Sequence, residues 1–244
     1  MCFHASQIKT TTQLEDQFKV IRDDSNAIGE HDFTFYHSNG FEHRDIAIIT
    51  QEASDILEGA TWGIMPSNEN TVNQKEYYKN AAKWGAGLNA KSEKVFDHFI
   101  YSNSIYEQRC LIPFNGFFEP HDVEGKKYPY YIRRKDKECF ALAGLYTITA
   151  DGHLTTTILT KPADPFLAGI HNLKLRQPVL LNKELENEWL NHNLNDASIQ
   201  EVINTPYSEI DLEAYTVSNT IFKRVGTNNE QSLQPFNYPE HQLL

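Results

Sequence analysis

The second residue of the chain is a cysteine, and its position gives it a chemistry that an internal cysteine lacks. Once Met1 is removed, Cys2 carries a free α-amine and a thiol on adjacent carbons. The amine, with a reference pKa of about 8, condenses with an aldehyde to a Schiff base, and the thiol, with a reference pKa of about 8.5, closes onto the imine carbon as a five-membered thiazolidine. Cys2 is therefore a candidate for permanent capture of an aldehyde, on the condition that Met1 is lost.

Three further polar residues lie where apolar packing alone would not require them. Asn89 precedes a predicted helix, where a capping turn is the alternative explanation. Glu119 follows a strongly apolar strand; a semi-buried carboxylate there could move protons, although a strand-end glutamate paired with a lysine is the common structural case. His171 follows a loop punctuated by prolines, where a structural role is the alternative to catalysis.

Two other segments each leave two interpretations open. Trp62 opens the segment WGIMP and, taken alone, is typical of a core residue. Residues 126–137 combine six lysines and arginines with three tyrosines. This pattern fits a hairpin edge protected by charge, or a surface that contacts the phosphates and bases of a nucleic acid.

Composition limits the class of protein. A hydrophobic content of 40% is typical of an ordinary globular chain, and the formal net charge of −11 argues against indiscriminate binding to nucleic acid or anionic lipid. The three cysteines lack metal-ligand spacing, so we expect no cofactor, no metal and no disulfide framework, with Cys110 and Cys139 buried. No apolar run is long enough for a membrane span and no signal peptide is recognisable, so we expect a cytoplasmic monomer without membrane contact.

The periodicity of apolar residues predicts one mixed α+β domain. A capping-box pattern at Thr12 and Glu15 favours a helix over residues 12–21. Further helices are predicted over 94–107, 183–194 and 199–203, and strands over 46–50, 60–66, 109–118, 128–133, 139–149, 154–160 and 213–217. Residues 226–244 are polar and contain two prolines, which favours a wrapped or mobile tail.

Taken together, these segments resemble one family in their order and in their residues. The resemblance runs through Met1-Cys2, WGIMP, NAKSE, RCLIPFNGFFEP, ILTKPAD, GIHN, RQPVLL and YTVS. On these motifs the chain resembles the SOS response-associated peptidase (SRAP) family. The resemblance implies a single α+β domain over residues 1–225, with a mainly antiparallel, barrel-like bifurcated sheet surrounded by helices, followed by the tail at 226–244. It also implies action on abasic sites in single-stranded DNA, with nucleoid association after DNA damage.

Each role that the resemblance implies agrees with the chemistry of the side chain. Cys2 would form a thiazolidine with the ring-opened sugar, and Asn89 would hold the Cys2 and sugar atoms. Glu119 would handle protons at the amine and the sugar, while His171 would assist Schiff-base chemistry, strand cleavage by β-elimination and crosslink reversal. The implied DNA contacts are Trp62, Pro66, Lys91 and Arg176.

The chain departs from the family pattern mainly among residues that would grip DNA. Phe3 and His4 follow Cys2 where the family usually has Gly-Arg, and Lys91 replaces an arginine, which removes bidentate phosphate binding. Glu119 is followed by proline instead of tryptophan. The usual His-x-Arg-Met-Pro is stretched over residues 171–178, so the assignment of Arg176 depends on that spacing.

Two other functions remain as alternatives. One is a hydrolase with Cys2 as N-terminal nucleophile, either a self-processing peptidase or an enzyme similar to glutamine amidotransferases. The other is a non-catalytic single-stranded DNA binding module that uses Trp62 and the basic hairpin. The leading expectation is covalent processing of abasic single-stranded DNA, with replication-fork or junction DNA as a further candidate partner.

Overall fold

A computed structural model describes residues 2–23, 27–223 and 226–240. The predicted loss of Met1, the boundary after residue 225 and the last four residues of the predicted tail lie outside the described residues. The helices are Thr11–Phe18 (α1), Gln74–Ala81 (α2), Tyr101–Glu107 (α3), Pro165–Ile170 (α4), Lys183–Trp189 (α5) and Asp196–Asn204 (α6). The strands are His4–Gln7 (β1), Ile21–Arg22 (β2), Phe35–Asn39 (β3), Asp45–Thr50 (β4), Ile56–Trp62 (β5), Asn89–Lys91 (β6), Arg109–Phe114 (β7), Gly116–Val123 (β8), Lys126–Arg134 (β9), Phe140–Ile148 (β10), Leu154–Pro162 (β11), Arg176–Pro178 (β12), Leu180–Leu181 (β13) and Leu212–Thr216 (β14).

The larger sheet curls into a barrel. Its strand order is β12-β11-β10-β7-β4-β5-β2, and β11 also pairs in parallel with β5 through Thr155 and Thr61, which closes the ring β5-β4-β7-β10-β11. The other neighbouring pairs within that ring are antiparallel. The second sheet has the order β14-β9-β8-β1-β3, again with antiparallel pairs. The predicted α+β domain with a mainly antiparallel, barrel-like sheet is confirmed.

The barrel strands are buried on both faces, so successive residues enter different cores. In β4, Ile46 and Ile48 join the cluster that also contains Cys2, whereas Ala47 and Ile49 join the cluster against α3, α5 and α6. This alternation follows from the two-residue period of a strand. Complete burial of one such isoleucine stabilises the fold by about 1.5–3 kcal/mol, relative to leaving it exposed. Cys110 and Cys139 are buried as free thiols, as predicted.

Several predicted elements have other limits in the structure. Helix α1 has its capping box at Thr10 and Gln13, because Thr10 has the extended backbone that an N-cap requires; Glu15 bonds to Arg22 instead. Only residues 101–107 of the predicted helix 94–107 are α-helical. The predicted strand 109–118 is two strands separated at Asn115, whose amide oxygen accepts bonds from the backbone of Ile8 and Lys9.

The described part of the predicted tail packs against the second sheet. Phe236 donates its N–H to the carbonyl of Thr216, the hydroxyl of Tyr215 donates to the carbonyl of Leu233, and the hydroxyl of Tyr238 donates to that of Val217. These contacts agree with the wrapped alternative for residues 226–240. The division of the chain after residue 225 remains a prediction.

Within the described ranges, each helix is too short or too polar to cross a membrane.

Candidate active site

The sheet topology brings Cys2 beside Glu119. Strand β1 lies between β3 and β8 in the second sheet, with Ala5 paired to Phe117 in antiparallel register. Because the strands run in opposite directions, the chain leading back from Ala5 to Cys2 follows β8 forward from Phe117 to Glu119. The N-terminal cysteine is therefore placed by the sheet itself.

Asn89 holds the backbone of Cys2. The Asn89 amide donates from Nδ2 to the Cys2 carbonyl over 2.9 Å. Its own position is fixed because β6 pairs in parallel with β11, with Asn89 opposite Ile158. The capping-turn alternative for Asn89 is therefore not what the structure shows, since its side chain reaches across to the N-terminus.

The thiol of Cys2 is fully buried, and burial raises its pKa well above the usual range. The negative charge of Glu119 is a second cause that acts in the same direction. The sulfur lies 3.8 Å from the carbonyl oxygen of His4, to which the thiol can donate a weak hydrogen bond. Cys2 thus carries a neutral S–H group at neutral pH, and its sulfur needs a base before it can attack.

Glu119 and His171 form a buried pair. Glu119 Oε2 lies 3.3 Å from His171 Nδ1, and both side chains are almost completely buried. Burial raises the pKa of Glu119 to about 7 and lowers the pKa of His171 to about 4. An ion pair would instead raise the pKa of His171, so we regard the contact as a hydrogen bond of a neutral imidazole.

The surroundings of His171 define its tautomer. Nδ1 lies 2.9 Å from the carbonyl oxygen of Arg176, which can only accept, so we assign the ring proton to Nδ1. Nε2 then carries a lone pair. Near pH 7 the site therefore contains a carboxyl group that can hold or release a proton and an imidazole nitrogen that can accept one.

At this site, two buried acceptor atoms have no hydrogen-bond partner among the described residues. They are Oε1 of Glu119 and Oδ1 of Asn89. A buried acceptor left unpaired costs about 1–3 kcal/mol, so both atoms favour a ligand that brings hydrogen-bond donors. Amine N–H groups and sugar hydroxyls are donors of this kind.

Two neighbouring hollows lie at this site, and both are lined by Phe3 and Lys91. One, of about 570 Å³, is lined by Phe3, His4, Lys91, Phe118, Glu119, Pro120, Lys127, His171, Lys174, Arg176 and Phe222. The other, of about 650 Å³, is lined by Phe3, Tyr77, Ala81, Trp84, Gly85, Gly87, Asn89, Lys91, Lys94, His98, Phe99, Ile100 and Tyr101. Positive charge is concentrated along these hollows, although the whole chain is acidic.

The predicted DNA contacts are placed unequally. Lys91 is exposed and lines both hollows. Arg176 lines one hollow, but its guanidinium is paired with Glu93 and donates to the carbonyl of Thr160 over 2.7 Å. Pro66 is half-buried and is not among the described residues that line either hollow.

The expectation that Trp62 contacts DNA requires correction. Its side chain is fully buried and donates from Nε1 to the carbonyl of Leu88 over 3.1 Å. A large aromatic ring gains most from complete removal from water, and this one packs against Phe114. Through its bond to Leu88, the buried Trp62 therefore supports the start of β6, the strand that contains Asn89.

The structure adds site residues that the sequence did not reveal. Phe3, His4, Lys174 and Phe222 line the smaller hollow with Glu119, while Trp84 and Phe99 are exposed beside the larger one. The basic hairpin is divided: Lys126, Arg133 and Arg134 are paired with carboxylates, whereas Lys127 faces the smaller hollow. Only Lys127 had a signal in the sequence, as part of the basic stretch.

The barrel carries Cys2, held by Asn89, beside the Glu119–His171 pair, and the comparison with known families agrees with this arrangement. Residues 1–224 match the model of the SOS response associated peptidase (SRAP) family, and the chain belongs to that family. Abasic site processing protein YoaM of Bacillus subtilis (strain 168) is 31% identical over 181 residues, 72% of this chain and 74% of YoaM.

More distant relatives agree with this assignment. Abasic site processing protein YMR114C of Saccharomyces cerevisiae is 27% identical over 180 residues, which cover 71% of this chain and 46% of the yeast protein. The crystal structure of a protein from Bacteroides thetaiotaomicron superposes with a TM-score of 0.80 at 26% identity, covering 97% of this chain and all of the other.

Proposed function

We propose that this chain is an abasic-site processing protein that binds single-stranded DNA and captures the ring-opened sugar aldehyde at Cys2 after loss of Met1. The observation that carries the proposal is that buried Cys2 is held by Asn89 through its carbonyl and lies within the electrostatic reach of Glu119, the partner of His171. Asn89, Glu119 and His171 line the two hollows, which are edged by lysines. The relatives are named abasic site processing proteins, which supports the abasic-site part of the proposal.

The first step joins the Cys2 amine to the aldehyde carbon. Attack requires a neutral amine, and Glu119, with a pKa of about 7, is suited to take its proton at neutral pH. The C–N bond forms as the carbonyl π bond breaks, and the same carboxyl group returns a proton to the departing oxygen. Water leaves, and a Schiff base remains.

The second step closes the ring. The neutral thiol gives its proton to a base, either Nε2 of His171 or the carboxylate of Glu119, while the sulfur attacks the imine carbon. The electron pair of the C=N bond moves to nitrogen, which takes up a proton. One aldehyde and one aminothiol thus give one thiazolidine and one water.

A competing path begins at the Schiff base. If a base removes a proton from the carbon next to the imine, the 3′ phosphate is eliminated and the strand is cleaved. We assign this proton to the lone pair of His171, which is also suited to reopening the crosslink. The same pair of groups would then divide the outcome between capture and cleavage.

The observations bear differently on the two alternatives. An N-terminal cysteine hydrolase would need a base for the same buried, neutral thiol that the proposed function uses, so the state of the thiol does not separate these two functions. The non-catalytic module would contact single-stranded DNA through Trp62, but the side chain of Trp62 is fully buried. Both remain outcomes of the experiment below.

The test uses protein whose loss of Met1 is confirmed by mass and a single strand with one abasic site. The wild type should form an adduct that survives denaturation. Cys2→Ala should form no such adduct. Cys2→Ser also keeps the amine and lacks the sulfur, so both variants should form a Schiff base that persists only after reduction. Absence of any adduct from Met-free protein would contradict the proposal.

A further inference from the structure

A row of three hydrogen-bonding side chains leads away from the smaller hollow. His4 Nδ1 lies 2.9 Å from His37 Nε2, and His37 Nδ1 lies 2.7 Å from Thr227 Oγ1. The two rings are nearly parallel, with an interplanar angle of 12°. His37 is buried, and Thr227 belongs to the segment that wraps the second sheet. The row joins the N-terminal strand, β3 and the C-terminal segment.

His4 is the member of the row that faces a ligand. Its ring lines the hollow that contains Glu119 and His171. Nδ1 is occupied by His37, and Nε2 has no hydrogen-bond partner among the described residues. Nε2 is therefore the nitrogen available to a molecule in the hollow.

The row can take up one proton without losing a hydrogen bond. In the neutral row, the Thr227 hydroxyl donates to His37, and His37 donates from Nε2 to His4. When His4 becomes an imidazolium, it donates from Nδ1 to His37, and His37 donates from its own Nδ1 to Thr227. The Thr227 hydroxyl changes from donor to acceptor, so both hydrogen bonds of the row are present in the neutral and in the protonated state.

The charges around His4 decide when it takes up that proton. Lys91 on β6, Lys127 on β9, and Lys174 and Arg176 beyond α4 all line the same hollow. Glu119 on β8 is the acid among the described lining residues, with the neutral His171 beside it. In the empty hollow, burial keeps the pKa of His4 near 4 and that of His37 near 3. An anion in the hollow would offset the lysines and favour the imidazolium.

We propose that His4 is a phosphate contact of the DNA strand that takes up a proton as the strand binds, with His37 and Thr227 as the relay that accommodates it. The inference rests on the proposed function, because the anion is a phosphodiester of the bound strand. It adds a pH-dependent element to the grip on DNA at a position next to the reactive cysteine.

The sign of the pH dependence follows from linkage. A group whose pKa is raised by the ligand strengthens binding below its new pKa, and the gain is lost as the pH rises through that value. If binding moves the pKa of His4 from about 4 to about 6.5, the dissociation constant should fall about tenfold between pH 7.5 and pH 5.5.

The experiment measures binding of an intact single strand without an abasic site, by fluorescence anisotropy at fixed ionic strength. Glu119 titrates in the same pH range, so all variants carry Glu119→Gln. On that background the tenfold change should persist. Adding His4→Gln should reduce it to about twofold or less, whereas adding the exposed His31→Gln should leave it unchanged.

Thr227→Val tests the relay away from the hollow. Valine keeps the shape of threonine but cannot accept from His37, so the pH dependence should weaken although the side chain does not line the hollow. If His4→Gln fails to fold, Thr227→Val alone tests the inference. An unchanged pH dependence in either folded variant overturns the inference and leaves the proposed function intact. If the wild type binds neither intact nor abasic single strands at any pH, the proposed function itself fails.

Discussion

Replacing Glu119 with glutamine removes the carboxyl group that lies beside His171 and keeps nearly the same shape. Burial raises the pKa of this group to about 7, so about half of it is ionised at pH 7, about a tenth at pH 6 and about nine-tenths at pH 8. If the ionised form takes the proton of the Cys2 amine, the rate of adduct formation should rise through pH 7. If Glu119 does not take this proton, the dependence of the rate on pH should follow the amine of Cys2, whose pKa is about 8.

The size of the effect follows from the role. A positioned acid–base group contributes about 10²–10⁴-fold to a rate, and His171 remains as a partial substitute in this site. We expect Glu119→Gln to slow adduct formation about 10²–10³-fold. Binding of an intact strand at pH 7 should change by no more than about threefold, because the proposed phosphate contacts are the lysines along the hollows.

The assay is single-turnover formation of the denaturation-resistant adduct, followed from pH 5.5 to 9 with protein in excess. A suitable control is Glu93→Gln, an exchange of the same kind at a carboxylate that is paired with Arg176. It should keep the inflection near pH 7. The reasoning is refuted if Glu119→Gln retains both the wild-type rate and that inflection.

The remaining predictions concern stability and DNA grip. The folded-state pKa of Glu119 is raised from 4.5 to about 7, so stability is lost as the pH rises through 7; Glu119→Gln should raise the free energy of unfolding by about 3 kcal/mol at pH 8 and leave it unchanged at pH 4.5, in urea titrations. Glu93→Gln removes the negative charge paired with Arg176, which keeps its bond to the Thr160 carbonyl, and should tighten binding of single-stranded DNA about two- to fivefold in anisotropy; unchanged affinity would mean that Arg176 does not reach the strand. Asn89→Ala removes the bond to the Cys2 carbonyl and should slow adduct formation about tenfold with unchanged affinity for an intact strand; weaker binding instead would point to a direct DNA contact. Trp62→Ala should cost about 3–5 kcal/mol of stability in urea, and at a temperature where the variant is folded its DNA affinity should match that of the wild type, because the buried ring cannot touch a strand.

The candidate reacting groups were the most predictable part of the site. The resemblance to the family motifs selected Cys2, Asn89, Glu119 and His171 before any geometry was known, and the chemistry of each side chain agrees with its proposed role. The structure brings all four together, although Asn89 and His171 are far apart in the chain. The barrel was predictable for a similar reason, because buried strands leave apolar runs in the sequence.

The DNA-facing surface was less predictable, because it depends on pairings between distant segments. Trp62 belongs to a recognisable motif, yet only the packing shows that its ring is buried. Arg176 is paired with Glu93 across 83 positions, which no local pattern indicates. The contact between His4 and His37 likewise joins residues 33 positions apart. Local propensity cannot report such contacts.

Capture of the sugar by Cys2 can be tested through the intact mass of the product formed on an abasic oligonucleotide. The expected mass is that of the Met-free protein plus that of the oligonucleotide minus one water, and digestion should locate the sugar on Cys2. Protein of unchanged mass, or the same adduct from Cys2→Ala, would contradict capture by the aminothiol of Cys2.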